Sequence, residues 1–97
     1  AASDVYKRQV ENSILSHDVK IAEGAVVRNS IIYAGAEIEK NAVIDHAIID
    51  ENVKVGKGAK IGAEQKGPSL SIAVLGRDIT VSDNAVVEAG KIIDENV

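Results

Sequence analysis

Every 17 residues the chain repeats itself, and no other feature limits its folding so severely. In register, residues 19–35 read VKIAEG-AVVRNS-IIYAG and residues 36–52 read AEIEKN-AVIDHA-IIDEN. From Val53 the pattern resumes as VKVGKG-AKIGAE. Each unit is two hexads and a pentad, with small aliphatics at the first and third places of each hexad. Fixed self-similarity of this length marks a solenoid whose turns stack and bury a continuous core.

The period sets the local structure. Val19-Lys20-Ile21, Ala36-Glu37-Ile38 and Val53-Lys54-Val55 alternate apolar and polar, which places successive side chains inside and outside a strand. The hexads close on Gly24, Asn41, Gly58, Asn84 and Gly90, and the pentads on Gly35 and Asn52. Both residue types tolerate the positive φ of a tight corner. No 3.6-residue stripe is present, and a Gly or Asn every few residues disfavours helix.

Three short strands and three corners per turn predict an all-β, parallel β-helix of triangular coils. One inner column holds Ile21, Ile38, Val55 and Val81, and a second holds Val27, Ile44, Ile61 and Val87. Composition agrees with so narrow an interior. The chain is 45% hydrophobic, yet Phe, Trp, Met and Cys are absent and Tyr occurs twice. An ordinary globule of 97 residues would bury aromatics.

Residues 1–7 fall outside the repeat and read as a linker or a sequencing scar. The solenoid domain is expected over 8–97, with its first coil incomplete at the N-terminal side, as in a piece of a larger chain. One interruption breaks the register. The pattern due at position 70 resumes at Ile79, nine residues late, and the match of residues 74–78 to the pentad at 14–18 places the insertion at 65–73. It contains the sole proline, Pro68, flanked by Gly67 and Ser69, and reads as a loop leaving one corner. Such loops often carry function.

A net charge of −4 with mixed signs argues against phosphate-neutralising nucleic-acid binding. No apolar run approaches the roughly 20 residues of a membrane helix. With no Cys and no signal-peptide pattern, the expected setting is cytoplasmic. His17 and His46 lie at corners of different coils and read as solvated side chains, too few for a three-histidine metal site. Asp45, Asp50, Glu51 and Asp94 read as pointing outward. Lys54, Lys57, Lys60 and Lys66 form a basic cluster, a solvated face or an anion-binding patch. No nucleophile motif or phosphate-cradling loop is visible, so no catalytic, cofactor-binding or metal-binding residue is assigned.

Certain phrases are more specific than the repeat. Residues 10–15 (VENSIL), 24–32 (GAVVRNSII) and above all 45–56 (DHAIIDENVKVG) resemble the C-terminal domain of bacterial glucose-1-phosphate adenylyltransferase (ADP-glucose pyrophosphorylase). The order of features is similar too: an Ile49-Asp50-Glu51-Asn52 turn, an Ile61-Gly62 ending, an irregular insertion, and a strand resuming at residues 72–75. The resemblance covers residues 8–97. It implies a left-handed β-helix that follows a nucleotidyltransferase domain making ADP-glucose and pyrophosphate from ATP and glucose 1-phosphate for glycogen synthesis. ATP and magnesium belong to that upstream domain. The implied partners are the catalytic domain, a homo- or hetero-tetramer, and a phosphorylated effector bound at Arg77 and Lys40 as neighbouring cations. The tail beyond Gly90, Lys-Ile-Ile-Asp-Glu-Asn-Val97, departs from some members and also suits a non-catalytic regulatory paralogue. Other readings are a hexapeptide-repeat acyltransferase, which works as a trimer with a catalytic His and acyl-CoA, and another sugar-nucleotide pyrophosphorylase such as a mannose-1-phosphate guanylyltransferase.

Overall fold

In a computed structural model, residues 9–65 and 70–97 are described. They form 14 short strands and no helix. In chain order these are β1 (Gln9–Glu11), β2 (Ile14–Leu15), β3 (Lys20–Ile21), β4 (Val26–Arg28), β5 (Ile31–Ile32), β6 (Glu37–Ile38) and β7 (Val43–Asp45). They continue as β8 (Ala47–Ile49), β9 (Lys54–Val55), β10 (Lys60–Gly62), β11 (Ala73–Leu75), β12 (Thr80–Val81), β13 (Val86–Val87) and β14 (Ile92–Ile93).

Every third strand pairs in parallel with its predecessor. Sheet A is β1-β4-β7-β10-β13, sheet B is β2-β5-β8-β11-β14, and sheet C is β3-β6-β9-β12. The result is a three-sided left-handed β-helix of about five coils. Residues 17 apart are lateral neighbours, as Val10↔Val27↔Ile44↔Ile61 demonstrates.

The core is the axis of the prism. Both expected inner columns are buried: Ile21, Ile38, Val55 and Val81 under sheet C, and Val27, Ile44, Ile61 and Val87 under sheet A. A third column, Ile32, Ile49 and Leu75, lies under sheet B. Alanines 25, 42 and 59 fill one set of corners, where the two walls converge and leave no room for a branched chain.

The corners explain the odd length of the repeat. Buried residues along one coil fall at 32, 36, 38, 42, 44, 47 and 49, so two corners span four residues and the corner between sheets A and B spans three. The wider corners are two-residue turns carrying positive φ at Gly24, Asn41, Gly58 and Asn84, and at Asp18, Gly35, Asn52 and Asp78. The short corner turns on one residue, Asn12, Asn29 or His46, again with positive φ. Asn and His at these places fit a conformation that a β-branched residue would resist.

The insertion sits at this short corner. Gly62 holds the register of Asp45 and Ala73 that of Ala47, so ten residues stand where His46 alone stands one coil earlier. The expected span of 65–73 is thereby corrected: Ala73 is buried and belongs to β11, because its methyl fills the inner place of Ala47. Lys66, Gly67, Pro68 and Ser69, and the expected linker with Arg8, lie outside the described residues. At the loop's neck the Gln65 amide grips the backbone of Ser71 twice, accepting its N–H at 2.7 Å and donating to its carbonyl.

Candidate functional site

The short corner gathers the polar side chains that the rest of the prism keeps apart. Asn12 Nδ2 donates to Asn29 Oδ1 at 2.7 Å, and Asn29 Nδ2 donates to Asp45 Oδ1 at 3.3 Å. These bonds run along the axis: Asn12 and Asn29 occupy stacked corner places 17 apart, and Asp45 stands one residue before the next such place, His46. Beside them Ser30 is buried yet satisfied. Its hydroxyl donates to the Arg28 carbonyl at 2.6 Å and accepts the Ala47 N–H at 3.2 Å.

Asp45 ends this ladder and is the one buried carboxylate among the described residues, its side chain 5% exposed. Its expected outward position is corrected here. The single-residue corner folds the carboxylate back toward the preceding coil, onto Asn29 and Arg28. Three partners compensate the burial. Besides Asn29, Arg28 Nε lies 3.8 Å from Asp45 Oδ2, and His46 Nδ1 lies 2.7 Å from Asp45 Oδ1. Arg28 and Asp45 face each other across β4 and β7. Adding 17 to 28 reaches 45, and that arithmetic was the signal the sequence offered.

His46 is corrected likewise. Its side chain is 16% exposed, held in the corner against Asp45. The approach lies off the axis of the ring N–H, so the two groups touch without an aligned hydrogen bond. The His46 carbonyl accepts the Ala73 N–H at 3.1 Å and so receives the chain as it returns from the insertion. The exit is as constrained. Gly62 has φ +75°, and a Cβ there would overlap the Asp45 carbonyl oxygen. Both ends of the loop therefore rest on the Asp45-His46 backbone.

Between the corner ladder and the returning loop runs an open groove of about 580 Å³. Asn12, Asn29 and His46 line one side; Ile14, Ile31 and Ile72 line the other. His17, by contrast, is exposed beside Ser16. Among the described residues no three His, Asp or Glu side chains converge as a metal site, and no helix is long and apolar enough to cross a membrane.

The two expected effector residues are exposed but separate. Arg77 lies in the turn after β11, at the corner between sheets B and C, whereas Lys40 lies at the corner between sheets C and A. A three-sided coil puts those corners at opposite ends of one face, so they are not neighbouring cations. The basic cluster is likewise spread around an edge. Lys54 faces out from sheet C opposite Glu37, Lys57 sits at the corner, and Lys60 faces out from sheet A.

Prism, parallel ladders and short corner define a hexapeptide-repeat β-helix. The chain belongs to the GlmU-like, C-terminal hexapeptide family, whose model matches residues 2–82. No curated protein matches it. Among solved structures it is similar to perosamine N-acetyltransferase from Caulobacter crescentus, a histidine-to-asparagine mutant in complex with CoA and GDP-perosamine. That likeness has 18% identity and a TM-score of 0.59, covering 92% of this chain and 50% of that one. It is also similar to PerB from the same organism, in complex with CoA and GDP-perosamine, with 19% identity, a TM-score of 0.50, and 92% and 51% coverage. The chain spans about half the length of these structures, and the likeness is one of fold.

Proposed function

We propose that this chain is the oligomerising and regulatory C-terminal β-helix of a sugar-nucleotide pyrophosphorylase of the glucose-1-phosphate adenylyltransferase type. The chemistry, formation of ADP-glucose and pyrophosphate, belongs to the upstream domain. The observation that carries the reading is the order of irregularities along the coil. The turn at Ile49-Asp50-Glu51-Asn52 is followed by a ladder ending at Gly62, an excursion, and re-entry at Ala73–Leu75. That order is the feature on which the resemblance rests, and a family of C-terminal modules fits a domain placed after another.

Arg77, exposed at the turn that follows re-entry, is the effector contact in this reading. A phosphorylated effector would bind the guanidinium by charge-assisted hydrogen bonds and shift the enzyme between conformations of unequal activity. Lys40, at the far end of sheet C, belongs to a separate contact. In the full-length enzyme, Arg77→Ala should raise the effector concentration for half-activation by about tenfold, a loss of roughly 1.4 kcal/mol, while unstimulated activity stays the same. An unchanged activation curve would remove Arg77 from the site.

The solved structures of like fold, and His46 lining the groove with Asp45 buried behind it, favour a second reading: an acyltransferase acting on a nucleotide-linked amino sugar. Asp45, packed against the ring, would hold its position while Nε2 serves as general base. The sugar amine would attack the thioester carbonyl as its proton passes to Nε2. The C–S bond would then break and the proton return to the departing CoA thiolate. Acetyl transfer from acetyl-CoA by the chain, reduced at least about 100-fold in His46→Asn, would establish this reading in place of the first. Absence of both transfer and CoA binding would leave the first standing.

A further inference from the structure

Sheet C is the face of the prism opposite the short corner, and it carries a hollow of its own. Ile38, Val55 and Val81 stand on successive rungs, so the residues after them, Glu39, Gly56 and Ser82, form one outward column. Lys54 and Thr80 pair in the outward column beside it. Gly56, at the centre, contributes no side chain, and none would fit. A Cβ there would come within 2.6 Å of the Asp83 backbone nitrogen, because the corner of the next coil leans over it. Asp83 Oδ1 fixes that lean by accepting the Lys57 N–H at 2.8 Å. The result is a groove of about 540 Å³ walled by Glu39, Lys54, Thr80, Ser82 and Asp83.

The backbone under the groove is engaged in the parallel ladder. Glu39 N–H donates to the Val55 carbonyl at 3.0 Å, and Gly56 N–H donates to that of Val81 at 2.8 Å. Several side chains of the walls are not engaged. Among the described residues both ion pairs involve Asp45, so the Lys54 ammonium and the Glu39 carboxylate share the groove without meeting. Asp83 Oδ2 and the Thr80 hydroxyl likewise make no hydrogen bond within the described chain. Opposite charges held apart across a small hollow call for a molecule that carries both signs close together.

We infer that this groove binds a small zwitterion with an ammonium and a carboxylate on one carbon, the head group of an α-amino acid. The ligand carboxylate meets Lys54 and the Thr80 hydroxyl, and its ammonium meets Glu39 and Asp83 Oδ2. Other ligand classes fit less well. One ammonium against two carboxylates gives the groove a net negative charge, which repels phosphate esters. A neutral sugar would cover three charges and neutralise none of them. A lone cation would satisfy the carboxylates but face the like charge of Lys54. The walls are largely exposed, so the attraction is screened and the binding weak, with a Kd of about 1 mM. The groove shares no residue with the short-corner groove or with Arg77, so the inference stands apart from both functional readings.

The test is a titration of the full chain with glycine to about 20 mM, at fixed pH and ionic strength, followed by the backbone amide resonances. Acetate and methylammonium, each carrying one of the two charges, are the controls. Glycine should shift the amides of Gly56, Thr80 and Ser82 saturably, and neither control should saturate. Lys54→Met and Glu39→Gln should each weaken glycine binding by at least about tenfold, with circular dichroism unchanged. Should a variant misfold, the wild-type comparison of glycine with its two controls decides the matter alone. Saturation by acetate as readily as by glycine would reduce the groove to a lysine contact and overturn the inference. Shifts that never saturate, or an affinity indifferent to both substitutions, would overturn it too.

Discussion

The corner between sheets A and B and the other two corners turn the same chain around the same prism by different means. The wider corners are interchangeable: two residues, a positive φ at Gly, Asn or Asp, and an exposed tip. The short corner saves one residue where it turns on Asn12, Asn29 or His46 and differs from level to level, with an Asn ladder below, a buried carboxylate and imidazole in the middle, and an excursion above. Uniform corners hold the stack, and the irregular one concentrates what is particular to this chain. Economy of turn therefore coincides with density of polar chemistry, because a one-residue turn brings side chains of adjacent coils inward where a two-residue turn carries them out to water.

Substitutions at matched glycines should break that contrast most sharply. Gly62→Ala would meet a fixed carbonyl oxygen as well as an unfavourable φ, and should cost about 3 kcal/mol, or roughly 15 °C in melting temperature. Gly58→Ala has a similar φ but would meet the side-chain amide oxygen of Asn84, which can swing away. It should cost about 1–2 kcal/mol. Equal losses in thermal unfolding would mean that the two corners are equivalent after all.

The histidines offer a subtler comparison. His46→Ala puts a non-glycine, non-Asn residue at φ +52° and leaves Asp45 short of one partner, so about 2 kcal/mol should be lost in denaturant titration. His17→Ala, at an exposed tip, should stay within about 0.5 kcal/mol. A His17 effect as large as that of His46 would show the tips to be as constrained as the interior corner.

A small effect is also expected from the largest excision. Deleting residues 64–72 leaves Gly62-Ala63-Ala73 as a one-residue corner, and Ala63→Asn would supply the positive φ. The offset between β8 and β11 falls from 26 residues to 17, a loop-closure difference of only about 0.4 kcal/mol. The shortened chain should retain its unfolding free energy within about 1 kcal/mol, while the groove loses Leu70 and Ile72. A large loss of stability would make the excursion a clamp instead of an ornament.

Much of this was legible in the sequence. The period determined the prism, and alternation determined the inner columns down to individual residues such as Ile44 and Val81. The glycine and asparagine closures anticipated the wider corners. What escaped was the site. Asp45 and His46 looked solvated because hexad position alone marks them as corner residues, and position does not reveal that this corner is one residue tight. The neighbour 17 places away does reveal it: an arginine precedes Asp45 by one period, and a glycine follows it in the next coil. The separation of Arg77 from Lys40 escaped for a related reason. Nearness in sequence pattern is not nearness around a triangle, and only the assignment of each corner to an edge distinguishes the two.

Gly62 and Ala73 have a further consequence. They stand where Asp45 and Ala47 stand one coil earlier, two Cα steps apart, a gap of at most about 7 Å. Whatever is threaded between them enters and leaves through the same small aperture, and the stacked coils above and below need not register its length. The prism is in effect a mast with a single cleat. A peptide tag, a reporter or a whole foreign domain with adjacent termini could be hitched there, held at a fixed height and a fixed heading, without retying the rest of the rigging.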